Sequence, residues 1–272
     1  MLKFLRAKVL PMMLGVCLMG AAGISAAADS PVLDRIIKSE TIRVGMSGNQ
    51  PPFNAKGRDG SLIGLEVDLA RALAGALGVK IEIVQRPFGE LLGALNKGDV
   101  DMVMSGMAIT KERAREATFL GPYMLSGKSI LTKSDTLARA KEAGDINNAN
   151  IRLAALKGST SEQFVERNLP DSQLTTVADY DEGVSMILEN KVDAMVADMP
   201  ICMLSILRFP DAGFTTLTRP MTIEPIGIAV SARDPQFAHI IDNYIDAFEK
   251  TGALAQLRKK WLEDNSWVAA LP

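Results

Sequence analysis

Histidine and cysteine are nearly absent from this sequence: His239 is the single histidine and Cys17 and Cys202 the two cysteines among 272 residues. A transition-metal centre is therefore not expected, because such sites draw three or four ligands from these side chains and carboxylates. An internal disulfide is not expected either, since Cys17 lies in a leader-like segment and leaves Cys202 without a partner. Long apolar runs are also lacking. The longest, Val9 to Ala22, falls short of the roughly 18–20 residues that cross a bilayer. Nor is there a basic patch, an interleaving of aromatic and basic residues, or a long run of one charge, so neither nucleic acid nor an anionic membrane surface is expected as a partner.

What the N-terminus does contain is an export signal: Lys3, Arg6 and Lys8, the apolar run, then "SAAADS", which allows cleavage after Ala28. Cleavage removes three of the 30 basic residues and none of the 32 acidic ones, moving the formal net charge from −2 to −5. The mature chain of about 244 residues is expected to be soluble and suits two lobes of ordinary domain size.

Strand and helix patterns alternate along it. "TIRVGM" (41–46) and "VKIEIV" (79–84) read as strands, and Leu65, Leu69, Leu73 and Leu77 form a helical stripe between them. This βαβ pattern predicts an α/β fold with a mostly parallel sheet. Phe88, Leu91, Leu92 and Leu95 repeat the helical spacing, and "VDMVMS" (100–105) supplies the next strand. A second series begins at "IRLAAL" (151–156). The segments 94–106 and 187–199 echo each other as helix end, polar turn, Val-Asp and buried strand, as two lobes built alike would require. The stretch 125–150 reads as the passage from one lobe to the other. Phe237, Ile240, Ile241, Tyr244, Ile245 and Phe248 then predict a C-terminal helix ended by Gly252.

In a parallel sheet, ligands gather beyond the carboxyl ends of the strands, where helix N-termini present unpaired N–H groups. Three segments place polar residues there. In "SGMAITKER", Ser105 ends a strand, Met107 and Ala108 form a loop, and Arg113 falls in the first turn of a helix capped by Thr110, against the dipole by about 0.3–1 kcal/mol. Arg113 either grips an anion with its bidentate fork or pairs with Glu116. In "LKGSTSEQF", Ser159 and Thr160 either meet a ligand anion or simply cap the next helix. In "VADMP", Asp198 either accepts from a ligand ammonium or caps a helix opened by Pro200. A cation with hydroxyls for a carboxylate, and an acid for an amine, describe a receptor for a small zwitterion.

At this point the sequence resembles the periplasmic solute-binding proteins that deliver polar amino acids to ABC importers. The resemblance rests on "PPFNAKGRDGSLIGLEVDLARALA" (51–74), "VDMVMSGMAITKERAREATFLGPY" (100–123), "LKGST" (156–160), "VDAMVADMP" (192–200), "IGIAV" (226–230) and "TGALAQLRKKW" (251–261). It implies a two-lobed, type II clamshell without a cofactor, acting as a monomer in the periplasm and docking on a membrane permease. Residues 29–124 plus 225–272 would form lobe 1 and residues 125–224 lobe 2, with hinges near Met124 and Pro225. It also implies that Arg113, helped by Ser159 and Thr160, holds the ligand carboxylate, and that Asp198 takes the ammonium. Phe88 and Phe53 would be the aromatic walls. Three positions depart from the family pattern: Ala108 replaces a hydroxyl residue, Gln50 an aromatic, and Ser47 stands where binders of basic amino acids can place an acid. The family's fold also hosts cyclohexadienyl dehydratases acting on prephenate or arogenate. In an enzyme of that kind Asp198 or Glu224 would be the general acid.

Overall fold

The structure, a computed structural model, describes residues 29–272, so the expected leader lies outside the described residues. The first part of the chain runs α1 (Pro31–Ser39), β1 (Thr41–Met46), β2 (Asn49–Gln50), β3 (Asn54–Lys56), β4 (Leu62–Ile63), α2 (Leu65–Leu77), β5 (Lys80–Gln85), α3 (Leu91–Lys97), β6 (Met102–Val103) and β7 (Thr118–Ser126). Next come β8 (Lys128–Thr132), α4 (Asp135–Ala138), β9 (Arg152–Leu156), α5 (Thr160–Asn168), β10 (Gln173–Val177), α6 (Tyr180–Leu188), β11 (Ala194–Asp198), α7 (Met199–Arg208) and β12 (Thr215–Thr216). Then come β13 (Glu224–Val230), α8 (Pro235–Lys250) and α9 (Ala253–Arg258), followed by a π-helical turn at Lys259–Glu263 and a 3-10 turn at Ser266–Ala270.

Two five-stranded sheets result, ordered β5-β1-β6-β13-β7 and β10-β9-β11-β8-β12. Each sheet has three parallel strands followed by two joined antiparallel. In the first sheet the fourth strand, β13, is supplied from late in the chain. The chain passes from the first sheet to the second at Gly127 and returns between β12 and β13. The two crossings touch there: a Cβ on Gly127 would lie 1.9 Å from the Thr222 carbonyl oxygen. A small third sheet, β2-β3-β4, flanks the first.

Apolar periodicity explains how the layers hold. Leu65, Leu69 and Leu73 of α2 are fully buried with Val44 and Met46 of β1 in one core, each such side chain worth about 1.5–3 kcal/mol. Gly64 opens α2 at φ 137°, and any Cβ there would strike the Phe53 carbonyl oxygen at 2.2 Å. Only glycine fits that approach.

The echo between the lobes is physical. Asp101, in the turn before β6, accepts from the backbone N–H of Arg43 at 2.7 Å and from its guanidinium at 2.9 Å. Asp193, in the turn before β11, accepts from the backbone N–H of Arg152 at 2.8 Å and from its guanidinium at 2.7 Å. In each lobe one aspartate thus fixes the start of a parallel strand against its neighbour.

Three expectations are corrected. The strand over 100–105 shrinks to Met102–Val103, because Ser105 turns aside to Ser47 and Gly106 adopts φ 59°. The helix capped by Thr110 is only a 3-10 turn at Arg113–Arg115, and β7 begins at Thr118. Thr110 Oγ1 does accept from Arg113 N–H at 3.2 Å, but no helix follows whose dipole could oppose the arginine. Finally, part of the passage between lobes is a strand: all five residues of β8 are buried in the middle of the second sheet's antiparallel side.

Candidate functional site

The carboxyl ends of β6 and β11 face one another across a cleft, which is shut. A Cβ on Gly158 would approach Gly89 Cα to 3.0 Å, placing the two lobes in backbone contact. Arg113 fills the space beside that contact and is only 8% exposed. Its Nη1 donates to the Ala108 carbonyl oxygen at 2.9 Å and its Nη2 to that of Gly158 at 3.2 Å. Its Cζ sits 5.4 Å from the centre of the Phe88 ring. No ion pair joins Arg113 to a carboxylate among the described residues. Two of five N–H groups are used, so an uncommitted part of the guanidinium fork remains. The alternative partner, Glu116, does not engage it. Burial pulls the guanidinium below its ordinary value, while Glu224 and Asp198 pull the other way.

Asp198 ends β11 and precedes α7, yet its side chain makes no capping bond. Its partner is a residue the sequence reading missed. Lys128 stands directly opposite it in the β8–β11 register, 1% exposed, and its Nζ lies 2.7 Å from Asp198 Oδ1 and 3.0 Å from Glu224 Oε2. Asp198 is therefore not a free acceptor; it has one oxygen left. Burial still raises its proton affinity above the ordinary carboxylate range, opposed by Lys128. The sequence signal was a lone lysine at the head of "KSILT", beside a glycine that allows the crossing.

Of the two hydroxyls expected to meet a ligand carboxylate, that of Thr160 already donates to a partner, whereas that of Ser159 accepts two N–H groups and donates to no partner among the described residues. Ser159 Oγ caps α5, accepting from Ser161 and Glu162 N–H at 3.1 and 3.2 Å. Thr160 Oγ1 donates to Glu224 Oε2 at 2.7 Å. Ser105 Oγ is likewise held by Ser47, accepting from its N–H and donating to its Oγ, both at 3.0 Å. Phe53 is fully buried and packs against Gly106. Met107 and Ala108 form a buried strip bound to the returning strand: Gly227 N–H donates to Met107 O at 3.1 Å, and Ile109 N–H to Pro225 O at 2.8 Å. Gln50 does approach the site. It is 2% exposed, its Oε1 faces Gly106, and its Nε2 has no hydrogen-bond partner among the described residues.

A further aromatic was missed in Tyr180, at the start of α6 against β2 of the opposite lobe. Burial, and then the charge of Asp198, push its phenol well above the ordinary value and keep it neutral. Cys202 lies nearby with its thiol pushed up to about 12 by burial, so it is not a nucleophile at neutral pH. A cavity of about 400 Å³ opens beside Glu224, lined also by Thr110, Thr160, Gln163, Arg167 and Thr222.

One more carboxylate organises the site from behind. Glu66, fully buried at the start of α2, accepts from Gly106 N–H at 2.7 Å, from Asn54 Nδ2 at 2.6 Å and from the Tyr123 hydroxyl. It ties the loop under Arg113 to α2 and to the outgoing strand β7.

Comparison with known proteins decides the lineage. The model of the bacterial extracellular solute-binding proteins, family 3, matches residues 42–264. The chain belongs to that family. This solute-binding protein is 30% identical over 251 residues to the cyclohexadienyl dehydratase of Pseudomonas aeruginosa, covering 91% of this chain and 92% of that one. Among solved structures it resembles the ancestral amino acid-binding protein AncCDT-1, described as a precursor of cyclohexadienyl dehydratase, at 34% identity and a TM-score of 0.78, covering 85% and 99% of the two chains. It also resembles a putative ABC-transporter binding component of Wolinella succinogenes complexed with lysine, at 28% identity and a TM-score of 0.81, with the same coverages. The two-sheet architecture is thus the type II periplasmic binding fold.

Proposed function

We propose that this solute-binding protein captures a polar amino acid or related small carboxylate outside the cytoplasm by closing its two lobes, and delivers it to the permease of an ABC importer. Residues 29–124 with 225–272 form one lobe and 125–224 the other, bending near Met124 and Pro225. A signal peptide cleaved after Ala28 places the chain in the periplasm, where it works as a monomer. The observation that carries this reading is the buried guanidinium of Arg113, which bridges both lobes through carbonyl oxygens and has no carboxylate within ion-pair distance among the described residues. An isolated buried cation is costly unless an anion joins it. In this reading the anion is the guest's carboxylate.

With Arg113 and Lys128 balancing Asp198 and Glu224, the cleft carries no net charge, which suits a zwitterionic guest. Its ammonium would use the remaining oxygen of Asp198, with Phe88, Tyr180 and Gln50 around the rest. Closure follows because only the shut form lets both lobes touch one molecule. A thermal-shift panel of amino acids and small carboxylates tests it. A ligand at 100 times its Kd stabilises the fold by about 2.7 kcal/mol, and Arg113→Ala should abolish that shift. No response to any carboxylate would overturn the reading.

A second reading is favoured by Asp198, a buried acid with raised proton affinity in a shut cleft, together with the likeness to the dehydratase. In it, Asp198 or Glu224 protonates the departing hydroxyl of prephenate or arogenate as carbon dioxide leaves. Aromatic product formed from either compound, and lost in Asp198→Asn or Glu224→Gln, would put this reading first.

A further inference from the structure

Asp198 and Glu224 stand together in the cleft, close enough for both to act on Arg113. Two carboxylates in that position make a receptor for a cationic group, since an ammonium or guanidinium between them can hydrogen-bond to both. The group found between them belongs to the protein: Lys128 Nζ, 2.7 Å from one and 3.0 Å from the other. Lys128 is 1% exposed and fixed by its strand, its N–H accepted by Thr222 Oγ1 at 2.9 Å and its carbonyl oxygen accepting from Met221 N–H at 2.7 Å. Its backbone is thereby fixed, and the two acids hold its ammonium between them. Glu224 has no unused oxygen, since Thr160 and Thr222 donate to it at 2.7 and 3.1 Å.

We infer that Lys128 is a specificity-determining residue: it occupies, as a built-in ammonium, the acidic pair that would receive a basic side chain, and so restricts the guest to amino acids or carboxylates with a neutral or acidic side chain. This rests on the reading of Arg113 as the carboxylate anchor, and it narrows the class of guest. A basic side chain, beyond the α-ammonium that takes the remaining oxygen of Asp198, would add a further positive charge to a cleft in which Lys128 and Arg113 already balance Asp198 and Glu224, and would face those two cations as like charges. A neutral side chain meets no such opposition.

The test compares the mature full-length protein with Lys128→Gln, by calorimetric titration with L-glutamine, L-glutamate, L-arginine and L-lysine. Wild type should prefer glutamine or glutamate. Lys128→Gln should gain about tenfold or more for arginine or lysine relative to glutamine, a factor well resolved by titration. Lys128→Gln with Glu224→Gln should forfeit that gain, which a merely loosened cleft would keep. Wild type binding arginine or lysine as tightly as glutamine, or a folded Lys128→Gln without the gain, overturns the proposal. Should Lys128→Gln not fold, Lys128→Ala is melted with and without n-butylamine, which refills the vacated slot. Stabilisation of the variant but not of wild type supports the proposal, and no stabilisation overturns it. Arg113→Ala in both backgrounds separates the two claims: binding that survives it counts against the carboxylate anchor, whereas the Lys128 claim is decided by the arginine and lysine gain alone.

Discussion

Nη2 of Arg113, in the turn between β6 and β7, donates to the carbonyl oxygen of Gly158, at the tip of β9, across 3.2 Å. The two residues belong to different sheets, so this bond exists only with the cleft shut. Gly158 meets the opposite lobe at Gly89 and holds φ 76°, where a side chain is strained whatever the space around it.

Gly158→Ala should therefore impede closure. A Cβ would press on Gly89 Cα at 3.0 Å only in the shut form, whereas the left-handed backbone costs the second lobe about 1–2 kcal/mol whether the cleft is open or shut. The expected result is a loss of about tenfold or more in guest affinity, as 1.4 kcal/mol is tenfold. Small-angle scattering at saturating ligand should then report a larger radius of gyration than for wild type. An unchanged affinity and shape would show that the lobes do not meet through this contact.

Arg113→Lys keeps the charge and tests the fork. Lysine can neither reach two carbonyl oxygens and a carboxylate together nor stack its head as a plane on Phe88. Each lost charge-assisted hydrogen bond is worth about 1.5–3 kcal/mol, so affinity should fall by about 10- to 100-fold in calorimetric titration. Full affinity in the lysine variant would mean that charge alone holds the guest.

Local pattern made much of this fold legible, and distant pairing hid the rest. "TIRVGM" coincides with β1, and the leucine stripe at 65, 69, 73 and 77 spans α2 from end to end, because in both cases the buried face has a period that shows in a short window. β8 escaped because its first residue is a lysine and its last a threonine, both buried only through partners far along the chain: Asp198, 70 residues on, and the Asp193 carbonyl, 61 residues on. Arg113 was legible as a cation beyond the end of a strand, but the element around it was not, since one hydroxyl cap reads alike before a 3-10 turn and a helix. The hydroxyls of Ser159 and Thr160 sit where expected, yet a spacing rule cannot show that Glu224, 64 residues from Thr160, already uses one of them.

Glu66 should give stability an unusual dependence on pH. Burial raises its proton affinity above the ordinary value of 4.5, and its hydrogen bonds from Tyr123, Gly106 and Asn54 only partly oppose this. The folded state thus binds the proton more tightly than the unfolded chain. Its contribution is fully present below about pH 4.5 and is lost as pH rises through the folded-state value. In urea unfolding from pH 4 to 8, the stability difference, wild type minus Glu66→Gln, should decline with rising pH. A difference that stays flat would mean that this carboxyl titrates as an exposed one does.

Asp234 should act in the opposite sense. Fully buried, it accepts from Ser30 Oγ at 2.6 Å and Phe237 N–H at 2.8 Å on one oxygen, and from Val32 and Leu33 N–H at 2.8 and 3.1 Å on the other. One carboxylate thereby caps α8 and holds the start of α1, which lies some two hundred residues earlier. Burial alone would raise its proton affinity, but these donors together outweigh burial and hold the carboxyl below its ordinary 3.8. Its contribution is present above that value and is lost as pH falls through the lower folded-state one. Asp234→Ala removes two caps at about 0.5–2 kcal/mol each, so it should lower stability at pH 7 by about 1–4 kcal/mol and flatten the acid limb of the stability curve. Asp234→Asn keeps one accepting oxygen and should fall between. If the asparagine variant matched wild type at pH 7, the double cap would owe nothing to charge, and geometry alone would be holding the two helices together.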